Sequence, residues 1–502
     1  MLTRRQFVGT AASASVACKT AARRPNFLFI LADDHAGYVL GADGNKQAVT
    51  PNLDQLASEG TRFAGHHCNS PVCTPSRQSL LTGQMPSMAG VTRLPTPLDP
   101  GKPTIAKQLK KAGYHTGVIG KMHLNQPASP GLLGFDDMIT ERELAQQWNQ
   151  AVKPRPIPQD IRTKPQWRPF RDPARIWLNA DKHPYPRFDE EMKAAHQVRL
   201  ASDFLDANKD KPFALWVSFH EPHSPFDFPV EDRSAIEASG FTPPRIGPED
   251  AWQIPKIFRP LTEDDRRGII ASYYTSARYL DKNIGLVLKK LSSLGLDENT
   301  LVVYTADHGY DLGHHGRFEK HCGYDPALRV PLIMRFPGRI RAGAVSDFTE
   351  HIDVGPTILD VLGADPLPLQ HGRSLRPYLE NKAIEGRDYI FSQYLENEEA
   401  FVRTSKWKFI FCSGKRARGD GYDIDNPTPG RYMRLYDLEN DPGEFTDVAR
   451  QNPEAVTKMQ DLILDRYRKT HPEVQSEPGN LGREEAIEWY VRPRDVNERP
   501  RA

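Results

Sequence analysis

Two uninterrupted apolar runs, Asn26-Phe27-Leu28-Phe29-Ile30-Leu31-Ala32 and Leu301-Val302-Val303-Tyr304-Thr305-Ala306, constrain this chain more than any other feature. A strand with one wet face alternates apolar and polar residues, whereas a run without alternation must be covered on both faces. That predicts strands of a parallel sheet held between two helical layers. Both runs end abruptly in charge, Asp33-Asp34 after the first and Asp307-His308-Gly309 after the second. Ligands of open α/β sheets bind beyond the carboxyl ends of the strands. Adjacent carboxylates repel each other unless a cation lies between them, so Asp33 and Asp34 read either as turn chemistry or as hard oxygen ligands for Ca2+ or Mg2+.

Two more strand ends carry cations and proton carriers. After a helix-like stretch over 104–112, Tyr114-His115-Thr116-Gly117-Val118-Ile119 reads as a strand and delivers Gly120-Lys121-Met122-His123. The apolar run 212–219 delivers His220-Glu221-Pro222-His223. A lone loop histidine or lysine is ordinarily just solvated; here both types follow strands in register with the carboxylate sites. Cys73-Thr74-Pro75-Ser76-Arg77 opens a helix: Pro75 suits the first turn, Ser76 to Leu81 continue it and Gly83 stops it. Cys73 is thereby expected just ahead of a helix N-terminus, an end that attracts anions, with Arg77 at i+4 on the same face.

The Cys73-to-Arg77 run, continuing into Leu81-Thr82-Gly83, resembles the signature of type I sulfatases. Further landmarks match that family: the G-K-x-H at 120–123, the P-H-x-P-F at 222–226, Gly316-Arg317-Phe318-Glu319-Lys320, and L-Y-D-L-x-x-D-P-x-E at 435–444. The resemblance implies an alkaline phosphatase-like α/β fold, with a large mixed, mostly parallel sheet sandwiched by helices. A smaller C-terminal α+β subdomain on a short antiparallel sheet would follow. It also implies that a maturation enzyme oxidises Cys73 to formylglycine, whose hydrate attacks sulfur with one hydroxyl and expels sulfate with the other. Asp33, Asp34, Asp307 and His308, with residue 73, are the implied ligands of a divalent ion; Ca2+ is favoured, with Mg2+ or Mn2+ as alternatives. His308 stands where many members carry Asn, although histidine occurs in the iduronate-2-sulfatase-like branch, and Asp325 stands where many carry Glu. In the implied chemistry Arg77, Lys121 and Lys320 offset charge on the sulfuryl oxygens. His223, with Lys320, protonates the leaving alcohol, and His123 takes the proton that triggers sulfate release. His314, His315 and His321 crowd the same loop, and the sequence does not choose among them.

The D-H-G-x-x-L-G-x-H-G run at 307–316 is similar to that of iduronate-2-sulfatase and related glycan sulfatases. The expected activity is therefore sulfate ester hydrolysis on a sulfated polysaccharide or its oligosaccharides. The alternatives are a phosphonate monoester or phosphodiester hydrolase of the same superfamily and a non-catalytic glycan-binding relative.

Size and charge agree. The 502 residues, 38% hydrophobic and 26% charged with a net charge of +1, describe a globular protein with no global attraction to nucleic acid. No transmembrane segment is expected in the mature chain. Five cysteines at 18, 68, 73, 322 and 412 are too few and too scattered for a disulfide framework, and buried free thiols are the simpler expectation. Thr3-Arg4-Arg5-Gln6-Phe7-Val8 resembles a twin-arginine signal before a short apolar stretch, which predicts export to the periplasm or beyond. Cys18 after Ser15-Val16-Ala17 raises the option of a lipid anchor. The expected division is a signal over 1–24, a catalytic domain over 25–385 and a C-terminal subdomain over 386–502. There the strand-like runs are 389–394, 400–412 and 432–438, followed by a helix over 454–469. The proline-rich stretch 153–188 reads either as a pinned surface insertion or as a lid over sugar rings.

Overall fold

The computed structural model describes residues 24–163, 178–414, 421–424 and 431–494. Residues 1–23 of the expected signal, Cys18 among them, and Lys164, Trp167, Arg168, Arg171, Arg175 and Trp177 of the proline-rich stretch lie outside these residues.

The run at Asn26–Ala32 is a strand with every residue buried. It lies near the middle of an eight-stranded sheet whose spatial order is Asp137–Thr140, His115–Gly120, Phe213–Ser218, Asn26–Ala32, Thr300–Ala306, Leu332–Arg335, Thr61–Phe63 and Gly343–Val345. All neighbours pair in parallel except at Leu332–Arg335, which runs against both strands beside it. The sheet is thus mixed and mostly parallel. Its two faces explain why the strands carry no polar alternation. Leu28, Ile30, Leu215, Val217, Val302 and Tyr304 belong to one core, which also contains Val198, Leu205, Leu280 and Ile284 from the helices Lys193–Asn208 and Glu263–Ser293. Phe27, Phe29, Trp216, Leu301 and Val303 belong to the other, which contains Leu80, Leu109, Val354 and Ile358 from three further helices.

Helix ends follow the local chemistry. Thr262 caps the 31-residue helix Glu263–Ser293 by accepting the amide of Asp265, and Gly83 ends the helix Cys73–Thr82 in the left-handed region at φ 65°. The short helix Pro51–Glu59 begins at a proline, which suits a first turn, and stops before Gly60. Among the described residues no helix is long and apolar enough to cross a membrane. The four described cysteines are free and buried.

A second, four-stranded antiparallel sheet runs in sequence order through Tyr389–Tyr394, Glu399–Thr404, Trp407–Cys412 and Tyr432–Asp437. The run expected over 400–412 is two strands, because Thr404 accepts the amide of Trp407 at 2.9 Å and turns the chain back. The helices Pro453–Thr470 and Arg483–Val491 cover this sheet, so the tail past residue 470 completes a core of its own.

Buried and half-buried ion pairs tie the small sheet to the rest of the chain. Asp325 receives Arg403 and Lys408, both at 2.8 Å, from the small sheet. Glu350, at the start of the helix His351–Leu362, receives Arg466 at 2.8 Å and Arg387 at 3.3 Å. Burial alone would raise the Glu350 carboxyl, but these guanidiniums outweigh it and hold the pKa at about 2. A carboxyl lowered on folding adds stability above its unfolded pKa, about 4.3, and loses it as pH falls through the folded value. Glu350→Gln is therefore expected to cost about 3 kcal/mol at pH 7. That gap to the parent protein closes between about pH 4 and pH 2 in urea unfolding curves.

Candidate active site

The strand ends are level. Ala32 pairs with Ala306, Leu31 with Ser218 and Gly120 with Ser218, so the residues that follow leave the sheet along one edge. Gly120 has φ 109°, and a Cβ there would collide with the Ser218 carbonyl oxygen, so glycine lets Lys121 turn into the site. The helix Cys73–Thr82 begins at the same edge, its Cys73 Sγ facing Asp33. Cys73 is its first residue, one position further in than the sequence suggests, because the chain stays extended only to Val72.

Asp33, Asp34, Cys73 and His308 bring one donor atom each to within 4.8 Å of one another, all buried. His308 Nε2 lies 3.1 Å from Cys73 Sγ, and Cys73 Sγ lies 3.7 Å from Asp33 Oδ1. His308 Nδ1 lies 3.0 Å from the Gly309 carbonyl, which takes its hydrogen, so in the neutral ring Nε2 is a lone pair aimed at Cys73. Burial lowers the ring's pKa, but Asp307 outweighs it and raises the pKa to about 9. Asp34 Oδ2 is buried with no hydrogen-bond partner. A carboxylate oxygen so placed, amid donors whose spacing suits one ion at about 2.3–2.6 Å from each, fits a divalent cation. Asp307 adjoins this group and is not within it. Its Oδ1 accepts the amides of Asp34 at 3.1 Å and His308 at 2.9 Å, and its Oδ2 accepts Arg77 Nε at 2.8 Å.

Buried cations face these carboxylates. Arg77, with a fully buried side chain, also donates to Ser218 Oγ at 2.8 Å and lies 3.6 Å from Asp33. Lys121 pairs with Asp33. Lys320 donates to Asp34 at 2.6 Å and to Cys73 Sγ at 3.2 Å. Burial pushes the Asp33 carboxyl up, yet Lys121, His223 and Arg77 together carry it well below the usual range. Asp34 differs: burial dominates, Lys320 opposes it only in part, and the pKa stands at about 7. Positive charge is therefore short at Asp34, beside its unpartnered oxygen. The Cys73 thiol, raised by burial, is lowered on balance by Lys320 and Lys121.

Among the histidines, His223 Nε2 is 3.9 Å from Asp34, while its Nδ1 lies 2.7 Å from the Ser224 carbonyl. Nδ1 thus carries the hydrogen of the neutral ring, and Nε2 gains one only as imidazolium. His123 holds its backbone amide on Glu141 at 3.0 Å, and its buried Nδ1 has no partner. Burial first, then Lys121 and Arg77, lower its pKa to about 3. Of the crowded loop trio, His315 is buried against Tyr324, rings 3.8 Å apart, and bonded to Asp250 at 2.9 Å, which removes it from substrate reach. His321 stacks on Tyr422, and His314 lies edge-on to Tyr38. In the proline-rich stretch, Arg155 pairs with Glu190 and Glu191, and Tyr185 leans on Trp148, so these described members pack on their own neighbours.

Comparison with known proteins decides the family. The sulfatase profile spans residues 25–364, and the profile of the N-sulphoglucosamine sulphohydrolase C-terminal region spans 313–470. The chain belongs to the sulfatase family. A sulfatase is a sulfuric ester hydrolase, and the fold is that of the alkaline phosphatase superfamily. The choline-sulfatase of Rhizobium meliloti is 27% identical, over 93% of this chain and 91% of that protein. The N-acetylglucosamine-6-O-sulfatase of Bacteroides thetaiotaomicron is also 27% identical, over 86% and 83%. Among solved structures, a phosphonate monoester hydrolase from Silicibacter pomeroyi shares the fold with a TM-score of 0.74 at 24% identity, over 90% of this chain and 97% of that one.

Sequence reasoning about this sulfatase passed over His220, although it stands in the quoted His220-Glu221-Pro222-His223 run. Its ring lies tilted against that of His223, centroids 4.7 Å apart, and its Nδ1 lies 3.8 Å from Asp33. It also passed over Ser218, whose place at a strand end next to the Arg77 fork only tertiary pairing reveals. Arg77→Lys keeps the charge but loses the fork that spans Asp307, Ser218 and Asp33. It is expected to destabilise the protein by roughly 2–4 kcal/mol in urea unfolding, because buried acceptors lose their donors.

Proposed function

We propose that this sulfatase releases sulfate from a sulfated polysaccharide or its oligosaccharides, using Cys73 matured to formylglycine and a divalent ion, with Ca2+ favoured. The buried quartet of Asp33, Asp34, Cys73 and His308 beside the unpartnered Asp34 oxygen carries this reading. Asp33, Asp34, His308 and the matured residue 73 would hold the ion, with Asp307 bracing them; the Cys73 sulfur marks where the oxygens of the aldehyde hydrate would lie. That hydrate supplies the nucleophile. The bound ion supplies Lewis-acid stabilisation of the sulfuryl oxygens.

The remaining work falls to the chain's own side chains. Enzymes acting on slow hydrolyses remove on the order of 20 kcal/mol of barrier, and one proton carrier contributes only about 10²–10⁴-fold, so charge stabilisation must dominate. Arg77 fixes the face of the helix that presents residue 73 and, with Lys121 and Lys320, offsets charge on the sulfuryl group. Lys320, 3.2 Å from Cys73 Sγ, is the cation best placed for this. His223 presents Nε2 to the pocket. Burial, Lys121 and Lys320 hold its pKa well below the usual range, so the imidazolium that can hand a proton to the leaving alcohol needs the negative charge of a bound ester beside it. His123 is held neutral and can accept the proton whose loss releases sulfate.

The sugar assignment is supported by the 307–316 run and by similarity to the N-acetylglucosamine-6-O-sulfatase. A phosphonate monoester hydrolase remains the second reading, favoured by the structural likeness to such an enzyme. Export through the Arg4-Arg5 signal, with a lipid anchor at Cys18 as an option, and a division into 25–385 and 386–502 complete the proposal. Mass spectrometry of active protein is expected to show residue 73 lighter than cysteine, as an aldehyde. Chelation is expected to abolish turnover, and Ca2+ to restore it. On a panel of heparan, chondroitin and algal saccharides, at least one is expected to be hydrolysed faster than small aryl sulfates, read by sulfate release, and faster than phosphonate esters, read by release of the alcohol. A small aryl sulfate cleaved far faster than every saccharide would end the sugar assignment; faster phosphonate cleavage would favour the second reading.

A further inference from the structure

The helix His351–Leu362 packs beside the helix that presents Cys73, and its first residue enters the wall of the site. His351 is fully buried, and its Nδ1 lies 3.0 Å from Ser76 Oγ. The Ser76 hydroxyl in turn bonds to the carbonyl oxygen of Asp307. A carbonyl has no hydrogen to give, so the Ser76 proton must point at Asp307. The lone pairs of Ser76 Oγ then face His351, and Nδ1 of His351 must bring the hydrogen. The direction of the chain is settled by that elimination: His351 donates to Ser76, and Ser76 donates to Asp307.

The anchored carbonyl has a mechanical consequence. It belongs to the planar peptide joining Asp307 to His308. Holding its oxygen orients the His308 amide, which points at Asp307 Oδ1 at 2.9 Å, and with it the start of the residue whose Nε2 faces Cys73. On the other side, the Asp307 amide is held by the Ala32 carbonyl at 3.1 Å. His351 is itself held at both chain neighbours. Glu350 is clamped by Arg466 and accepts the Phe391 amide at 2.8 Å, and the Ile352 amide is accepted by Asn69 at 3.1 Å. Its ring lies against His66, centroids 5.1 Å apart.

We infer that His351 is a positioning residue for the ion site, acting through Ser76 to set the Asp307-His308 peptide against the helix that carries residue 73. This rests on the metal reading given above. No reactive step uses His351; it acts by geometry alone.

The test is calorimetric titration of the full chain with Ca2+, on the parent protein and variants in one maturation state, beside unfolding curves without metal. His351→Leu and Ser76→Ala are each expected to weaken Ca2+ binding by about 10–100-fold, the loss seen when outer partners of metal ligands are removed. The double variant is expected to match the weaker single within about twofold, because both cut one chain. His351→Asn, whose amide nitrogen falls near the place of Nδ1, is expected to keep the parent affinity within about twofold. A His351→Asn loss as large as that of His351→Leu, a double loss equal to the product of the singles, or unchanged affinity throughout would overturn the inference. Should His351→Leu not fold, Ser76→Ala and His351→Asn decide it alone. A parent protein that binds no divalent ion would instead count against the metal reading and take this inference with it.

Discussion

Everything in this molecule depends on keeping three carboxylates and three cations dry within one pocket. Asp33, Asp34 and Asp307 are each no more than 1% exposed, and Arg77, Lys121 and Lys320 no more than 7%. An unpaired ion in such surroundings costs several kcal/mol, so each must be met by a partner whose position is already settled. The parallel sheet provides that. Its strand ends are level to within a residue, and helices on both faces exclude water from the edge where the charges gather. Preorganised charge in a water-poor site is also what hydrolysis of a sulfuric ester demands, so the burden on stability and the catalytic means are the same feature.

The small antiparallel sheet takes part in this arrangement. Asp325 follows the loop that carries Lys320, and its carboxylate is taken by Arg403 and Lys408 of the small sheet. Glu350 precedes the helix packed on the one bearing Cys73, and Arg466 from the helix Pro453–Thr470 takes its carboxylate. Two elements that shape the pocket are thus held from behind by charges of the C-terminal part. The loop with Lys320 has a further brace, since His315 is fixed by Asp250 and Tyr324, and Arg434 of the small sheet donates to Gln253 nearby.

Much of this was legible in the chain. The unalternating runs 26–32 and 301–306 demanded two covered faces, and Pro75 and Gly83 bracketed the helix bearing Cys73. The acidic, basic and histidine residues just past four strands marked where chemistry could gather. What could not be read was anything set by distance between segments. Asp33 and Asp307 look alike at their strand ends. Yet Asp33 joins the quartet of donors, while Asp307 spends both oxygens on Arg77 and two amides. His314, His315 and His321 are indistinguishable in sequence, and packing alone sends His315 beneath Tyr324. The run 400–412 looked like one strand because its turn, at Thr404 and Trp407, contains neither glycine nor proline.

The sequence by itself determined the covered sheet, the helix start at Cys73 to within one residue, and the chemical types available at each strand end. Those follow from periodicity and backbone preference, which act over a few residues. Tertiary structure alone decided which carboxylate oxygen lacks a partner, which histidine nitrogen faces Cys73, and that His351 reaches Ser76 across 275 residues of chain. Hydrogen bonds and ion pairs act over about 3 Å, and only folding brings such distant residues that close.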